Sequence, residues 1–218
     1  MKTKLMAIAA VVAVITAEAQ SFRKGSLLVG ISEGSTMARY TTYDGFNHQL
    51  ISDQIIKGDR DPLQIEYGIS NKWGIALSFG NDIFKINPEH AYKISTSTLM
   101  KSKTSESTIE INYHCFISKK WDLALFYGIG CYRVELFDKD SRCLNNAQIS
   151  YKKGGISRCG MKARYYFFKR LSVLGMLSFF SASAQSDSPM PNDILYNKIQ
   201  TSVKGVTLEF GLSYRLLK

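Results

Sequence analysis

Along most of the chain, apolar and polar residues alternate with a period of two. In "PLQIEYGIS", Leu63, Ile65, Tyr67 and Ile69 fall on one face, with Gln64, Glu66 and Gly68 on the other. "TIEINYHCFI" sets Ile109, Ile111, Tyr113, Cys115 and Ile117 against Glu110, Asn112 and His114. The chain closes with Val206, Leu208, Phe210, Leu212, Tyr214 and Leu216 against Thr207, Glu209, Gly211, Ser213 and Arg215. Successive strand side chains point to opposite faces, so this pattern predicts strands with one apolar face. Eight are expected, at 24–34, 62–70, 72–82, 107–118, 120–137, 152–168, 170–184 and 203–217. Most exceed the usual strand of about 5–6 residues. They reach the roughly 9–11 residues that a tilted strand needs to cross a bilayer.

An internal repeat marks the turns. "GISNKWGIALSFG" (68–80) aligns with "FISKKWDLALFYG" (116–128), and "FFKRLSV" (167–173) is a worn third copy. Each copy reads as a tight turn between two strands, with Trp73, Trp121 and Leu171 in equivalent places. The remaining connections, 35–61, 83–106, 138–151 and 185–202, read as long loops. Three short turns at one end and four long loops at the other is the layout of a transmembrane barrel.

Which face points inward follows from volume. The interior of an eight-stranded barrel only just accommodates side chains. The apolar face carries Tyr67, Trp73, Phe79, Tyr113, Trp121, Tyr127, Tyr165, Phe167, Phe210 and Tyr214, while the other face is rich in glycine, alanine and serine. The small face suits the crowded inside, and the apolar face then meets lipid. This argues against the soluble barrel, whose apolar face would be internal. Trp73, Trp121, Tyr67, Tyr113 and Phe167 are expected in a girdle at the lipid headgroups.

The first residues, "MKTKLMAIAAVVAVITAEAQ", have a basic start, an apolar run from Leu5 to Ala17, and a small-x-small site at Ala17-Glu18-Ala19. This predicts a signal peptide over 1–19 and a single barrel domain over 20–218. The apolar run is shorter than the roughly 20 residues of a membrane helix. An exported chain does not meet cytoplasmic nucleic acid, so the net charge of +10 needs a structural use or an envelope partner. Continuing the alternation places Glu66, Glu110, His114, Arg158, Lys162, Arg164, Glu209 and Arg215 on the inward face. Opposite charges confined there are expected to pair, because an unpaired buried charge is costly. Of Cys115, Cys131, Cys143 and Cys159, only Cys143 lies off an apolar strand face, and no Cys-x-x-Cys spacing suggests a metal site.

In this alternation, its turns and its length, the mature chain resembles the small eight-stranded outer-membrane barrels of the OmpA, OmpX and OmpW type. The resemblance implies an all-β, antiparallel up-and-down barrel, with both termini and three short turns in the periplasm and four long loops outside. It also implies barrel-assembly machinery as a partner during biogenesis. Members usually end in an aromatic residue, whereas this chain ends "LSYRLLK".

No phosphate-binding loop, His-Glu-x-x-His or nucleophile elbow occurs. No catalytic residue, metal ligand or cofactor is therefore expected. His48 and His90 fall in loops. The expected role is non-enzymatic, stabilising the envelope or touching partners through the loops, with outer-membrane lipid as the surroundings. The loop lysines Lys93, Lys101 and Lys103 are candidates for lipopolysaccharide phosphates. The alternatives are a lipid A-modifying enzyme, using His114 with a loop serine, and a narrow porin-like channel.

Overall fold

The computed structural model describes residues 22–44, 50–85, 93–94, 97–138, 154–186 and 199–217. The expected signal peptide, His48, His90 and Cys143 lie outside them. The strands are β1 (Leu27–Asp44), β2 (Leu50–Arg60), β3 (Leu63–Gly68), β4 (Trp73–Lys85), β5 (Lys93–Ile94), β6 (Ser97–Ile117), β7 (Trp121–Asp138), β8 (Gly154–Tyr166), β9 (Leu171–Ser186) and β10 (Ile199–Leu217). Each long strand pairs antiparallel with its neighbour in sequence, and β1 pairs with β10 from Leu27↔Leu217 to Asp44↔Ile199. The sheet therefore closes into a ring of eight positions. β5 is a two-residue extension paired to the start of β6.

β2 and β3 together fill the second position of the ring. Asp61 and Pro62 separate them because proline has no N–H to give to a ladder. The register nevertheless runs on, from Gly34↔Arg60 to Ile31↔Leu63 on the β1 side. The gap is bridged by Ser32 N–H to the Pro62 carbonyl (3.2 Å) and Asp61 N–H to the Asn81 carbonyl (3.2 Å).

The repeat has a physical basis at the turns. Ser70 Oγ accepts the Trp73 N–H at 3.0 Å, and Ser118 Oγ accepts the Trp121 N–H at 3.0 Å. The carbonyls of Lys72, Lys120 and Arg170 each receive an N–H from the next strand, at His114, Tyr166 and Arg215 respectively, all at 2.8 Å. The third copy has Phe168 where the others have serine, so only the backbone bond from Phe168 to Leu171 remains (3.3 Å).

The outward face is a continuous apolar belt. Ile31, Ile75, Leu77, Ile109, Ile111, Leu125, Tyr127, Ile129, Phe179 and Phe210 are all exposed. That many exposed large apolar side chains exceed what a water-soluble monomer tolerates, and they fit lipid. Trp73 and Trp121 are exposed at the turn end, each 4.8 Å from the ring of Tyr113 or Tyr165 on the next strand. Tyr67 and Phe167 are exposed at the same end.

One expectation needs correction. The stretches 35–61 and 83–106 are mostly strand, because β1 runs on to Asp44, β2 begins at Leu50, and β6 begins at Ser97. Outward residues there, such as Ser35, Arg39, Asp59, Lys101 and Lys103, are polar, so hydrophobic contrast vanishes while the alternation of burial continues. Besides small and charged residues, the interior holds large apolar ones. At the loop end Tyr40, Ile56, Phe84, Tyr132, Val134, Ile156, Phe180 and Val203 form an apolar plug.

Candidate functional site

The interior below that plug is ionic. Among the described residues the buried charged groups are Arg60, Arg158, Lys162, Arg164 and Arg215, with Glu66, Asp82, Glu106, Glu110, Asp122 and Glu209, and His114 beside them. They lie in three tiers, because inward residues on one strand recur every second position.

The upper tier is a closed circuit. Arg60 stands at the second position of the ring, Glu106 on β6 at the fourth, Arg158 on β8 at the sixth and Glu209 on β10 at the eighth. Arg60 Nε donates to Glu209 Oε1 at 2.8 Å, and Arg60 Nη2 donates to Glu106 Oε1. Arg158 completes the loop, with Nη1 at 2.6 Å from Glu106 Oε1 and Nη2 at 3.5 Å from Glu209 Oε1. The third arm of Arg60 reaches Asp82 Oδ2 at 2.9 Å. Hydroxyls add further bonds: Ser32 donates to Glu209 (3.1 Å) and Thr36 to Asp82 (2.9 Å). Arg158 also donates to Ser178 Oγ (2.7 Å).

The middle tier centres on Glu110. Its Oε2 accepts from Lys162 Nζ at 2.5 Å and from Gln64 Nε2 at 2.7 Å. Lys162 also donates to Asn112 (3.0 Å) and lies 4.4 Å over the Phe126 ring. In the lower tier Arg164 bridges Asp122 (3.0 Å) and Glu66. His114 Nδ1 is 2.6 Å from Asp122 Oδ1, and its Nε2 is 2.9 Å from Glu66 Oε1. A carboxyl oxygen at each nitrogen is the surrounding that suits an imidazolium, with both nitrogens donating. Counted with His114 as a cation, the three tiers hold five cations and six carboxylates.

The turn end is stoppered by the chain itself. The Phe22 ring, 3% exposed, stacks on His114 at 3.4 Å with the rings 10° apart. Gly25, at φ 79°, takes a left-handed turn that few other residues adopt, and its N–H reaches the Gly68 carbonyl at 2.7 Å. Arg215 lies nearby, donating to the Lys169 carbonyl with its guanidinium 5.9 Å over Tyr166.

Glycines make room for the long charged side chains. A Cβ at Gly80 would sit 2.6 Å from Arg60 Nη2, and one at Gly74 would sit 2.5 Å from Glu66 Oε1. Each charged chain lies flat across a glycine of the adjacent strand. The abundance of inward glycine is thus tied to the network.

All eight residues expected inside are buried, and seven of them join the three tiers. Arg215 is at the turn end instead, among carbonyl and ring contacts. Sequence reasoning missed Arg60, Asp82, Glu106 and Asp122. Asp82 and Asp122 share the parity of Ser78 and Ala124 on their strands, so that signal was present. Arg60 and Glu106 were hidden because their segments read as loops. Cys115, Cys131 and Cys159 are free thiols on the outward face.

An outward apolar belt, a ring of antiparallel strands and a polar, packed inside define an outer-membrane β-barrel by fold. No protein-family model matches the sequence, and no curated protein does. Solved structures are similar in fold. The outer membrane protein OprG of Pseudomonas aeruginosa superposes with a TM-score of 0.65 at 11% identity, covering 91% of this chain and 99% of that one. AlkL in lipid bilayers gives 0.55 at 12% identity, over 93% and 95%. The outer membrane protease OmpT of Escherichia coli gives 0.50 at 9% identity, over 88% and 97%.

Proposed function

We propose that this protein is a closed outer-membrane barrel that acts through its outer surface and loop-end rim, not by passing solutes along its axis. The observation that carries this reading is the circuit of Arg60, Glu106, Arg158 and Glu209, which links four walls of the barrel across its axis. An apolar plug lies above it and Phe22 lies below. With the lumen committed to holding the strands together, an envelope-stabilising or surface-interaction role is what remains for the protein. The enzymatic alternative built on His114 finds no support in the geometry, since both ring nitrogens are held by carboxylates and neither is free for a serine.

Planar-bilayer recording tests the proposal. The purified barrel is expected to give no steady ohmic current, whereas Arg60→Ala combined with Arg158→Ala opens the tier and admits ions. A stable open-pore current in the wild type overturns the closed reading. Mass spectrometry of lipid A from cells with and without the protein tests the enzymatic alternative, which requires altered acyl chains.

A further inference from the structure

The outer wall carries four lysines in one patch. Lys57 on β2 stands directly across from Lys85 on β4, and Lys85 stands directly across from Lys101 on β6. Lys103, the next outward residue of β6, stands across from Ile83. Directly opposed residues on neighbouring strands hold their Cβ atoms roughly 4.5–5.5 Å apart, where like charges repel. Two such oppositions in succession are unfavourable unless an anion sits between them. No described residue supplies it. No described carboxylate lies within ion-pair distance of any of the four, although rim arginines elsewhere are paired, Arg39 with Asp53 at 2.5 Å and Arg133 with Glu135 at 3.5 Å. Glu135 faces Lys103 across the ladder but is engaged by Arg133, and Asp59 faces Ile83 without reaching a lysine.

Height on the wall identifies the missing anion. Below the patch on the same strands are Leu77, Phe79 and Ile109, all exposed to lipid, with Ile83 between the lysines. On β2 Ile55 is exposed beyond Lys57, while on β4 and β6 the cations begin where the apolar belt ends, at the loop end. That is the level of lipid headgroups, and ammonium groups hold phosphate there as point charges. We infer that Lys57, Lys85, Lys101 and Lys103 form a binding site for the phosphate-bearing headgroup of an outer-leaflet lipid. The inference rests on the loop end facing outward, as the proposed function has it, but not on the lumen being closed.

The test uses the full mature protein in detergent, with lipid A as the probe and native mass spectrometry as the readout. The quadruple variant Lys57→Gln, Lys85→Gln, Lys101→Gln and Lys103→Gln is expected to bind lipid A at least about tenfold more weakly, a change of about 1.4 kcal/mol. The turn-end pair Lys119→Gln and Lys120→Gln should bind as wild type does. Lipid A without phosphates should not compete, and inorganic phosphate should compete only weakly. Equal binding by the quadruple variant, equal loss from the turn-end pair, or full displacement by inorganic phosphate overturns the site. A single variant guards against misfolding. Lys85→Gln should raise the melting temperature without lipid, by removing two repulsions, and lower the gain that lipid A brings. A lipid-induced gain as large as that of wild type overturns the inference. Conductance is untouched by either result, so failure here is separable from failure of the closed-lumen reading.

Discussion

Arg60 and Arg158 stand on opposite walls of the barrel and donate to the same two carboxylate oxygens, Glu106 Oε1 and Glu209 Oε1. Each glutamate is therefore shared between two cations, and no single strand can shift without stretching a bond to another wall. Buried ion pairs do not in general outdo apolar packing, yet removing one partner is costly because the other is left charged and dry. The network is better understood as fixing the relative stagger of the strands than as a large source of stability.

Arg60→Met leaves Asp82, Glu106 and Glu209 without their common donor. The loss is expected to be about 3–5 kcal/mol, read as a lower temperature for loss of the folded band on unheated gels. Adding Asp82→Asn to Arg60→Met should recover part of it, since the carboxylate whose ion pair was with Arg60 alone is gone. An Arg60→Met barrel as heat-resistant as wild type would contradict the shared-donor geometry.

Gly80→Ala places a methyl group against the Arg60 guanidinium, at 2.6–2.9 Å from its atoms. A cost of about 1–3 kcal/mol is expected from the forced shift. Gly155→Ala is the control, since nothing lies within 4 Å of a Cβ there, and it should be neutral or slightly stabilising. Chemical denaturation of the two variants side by side decides the matter. Equal effects would mean that backbone entropy, not space, sets the choice of glycine.

Phe22→Ala removes the stopper from the turn end. The tail is held by local contacts, so the effect should be local too: the Gly25 amide, bonded to Gly68, exchanges about tenfold faster, while amides of the middle tier keep their protection. Uniform loss of protection would show that Phe22 is part of the global core instead.

Trp73 and Trp121 should both be quenched more by headgroup-level probes than by probes at the bilayer centre. Their exposure at the turn end, beside Tyr113 and Tyr165, places them at an interface where amphipathic rings settle. The reverse order of quenching would put the turn end at the wrong depth.

The lipid-crossing part of the barrel was legible because its two faces differ chemically. Phe210 and Glu209 need no structure to be assigned to opposite sides. Above the apolar belt that contrast fails: Thr104 and Lys103 are both polar, and only burial separates them. Arg60 and Glu106 were lost for that reason, and with them half of the closed circuit. Which charge meets which was also beyond the sequence. Lys162 meets Glu110 and Arg164 meets Glu66 through the barrel's stagger, a property of all eight strands together. The repeat was legible as turns, but the serine hydroxyl that ties Ser70 to Trp73 and Ser118 to Trp121 emerges only from the bonds.

The pairing of Leu27 with Leu217 has a topological consequence. The start of β1 and the end of β10 lie side by side at the end that holds the three short turns, in the place a fourth would occupy. The strand order is cyclic, and the junction between β10 and β1 is only the point at which that circle is cut. A permuted gene that joins the ends through a short linker and opens within 187–198 would encode the same ladder of neighbours, with β1 and β10 becoming an ordinary hairpin.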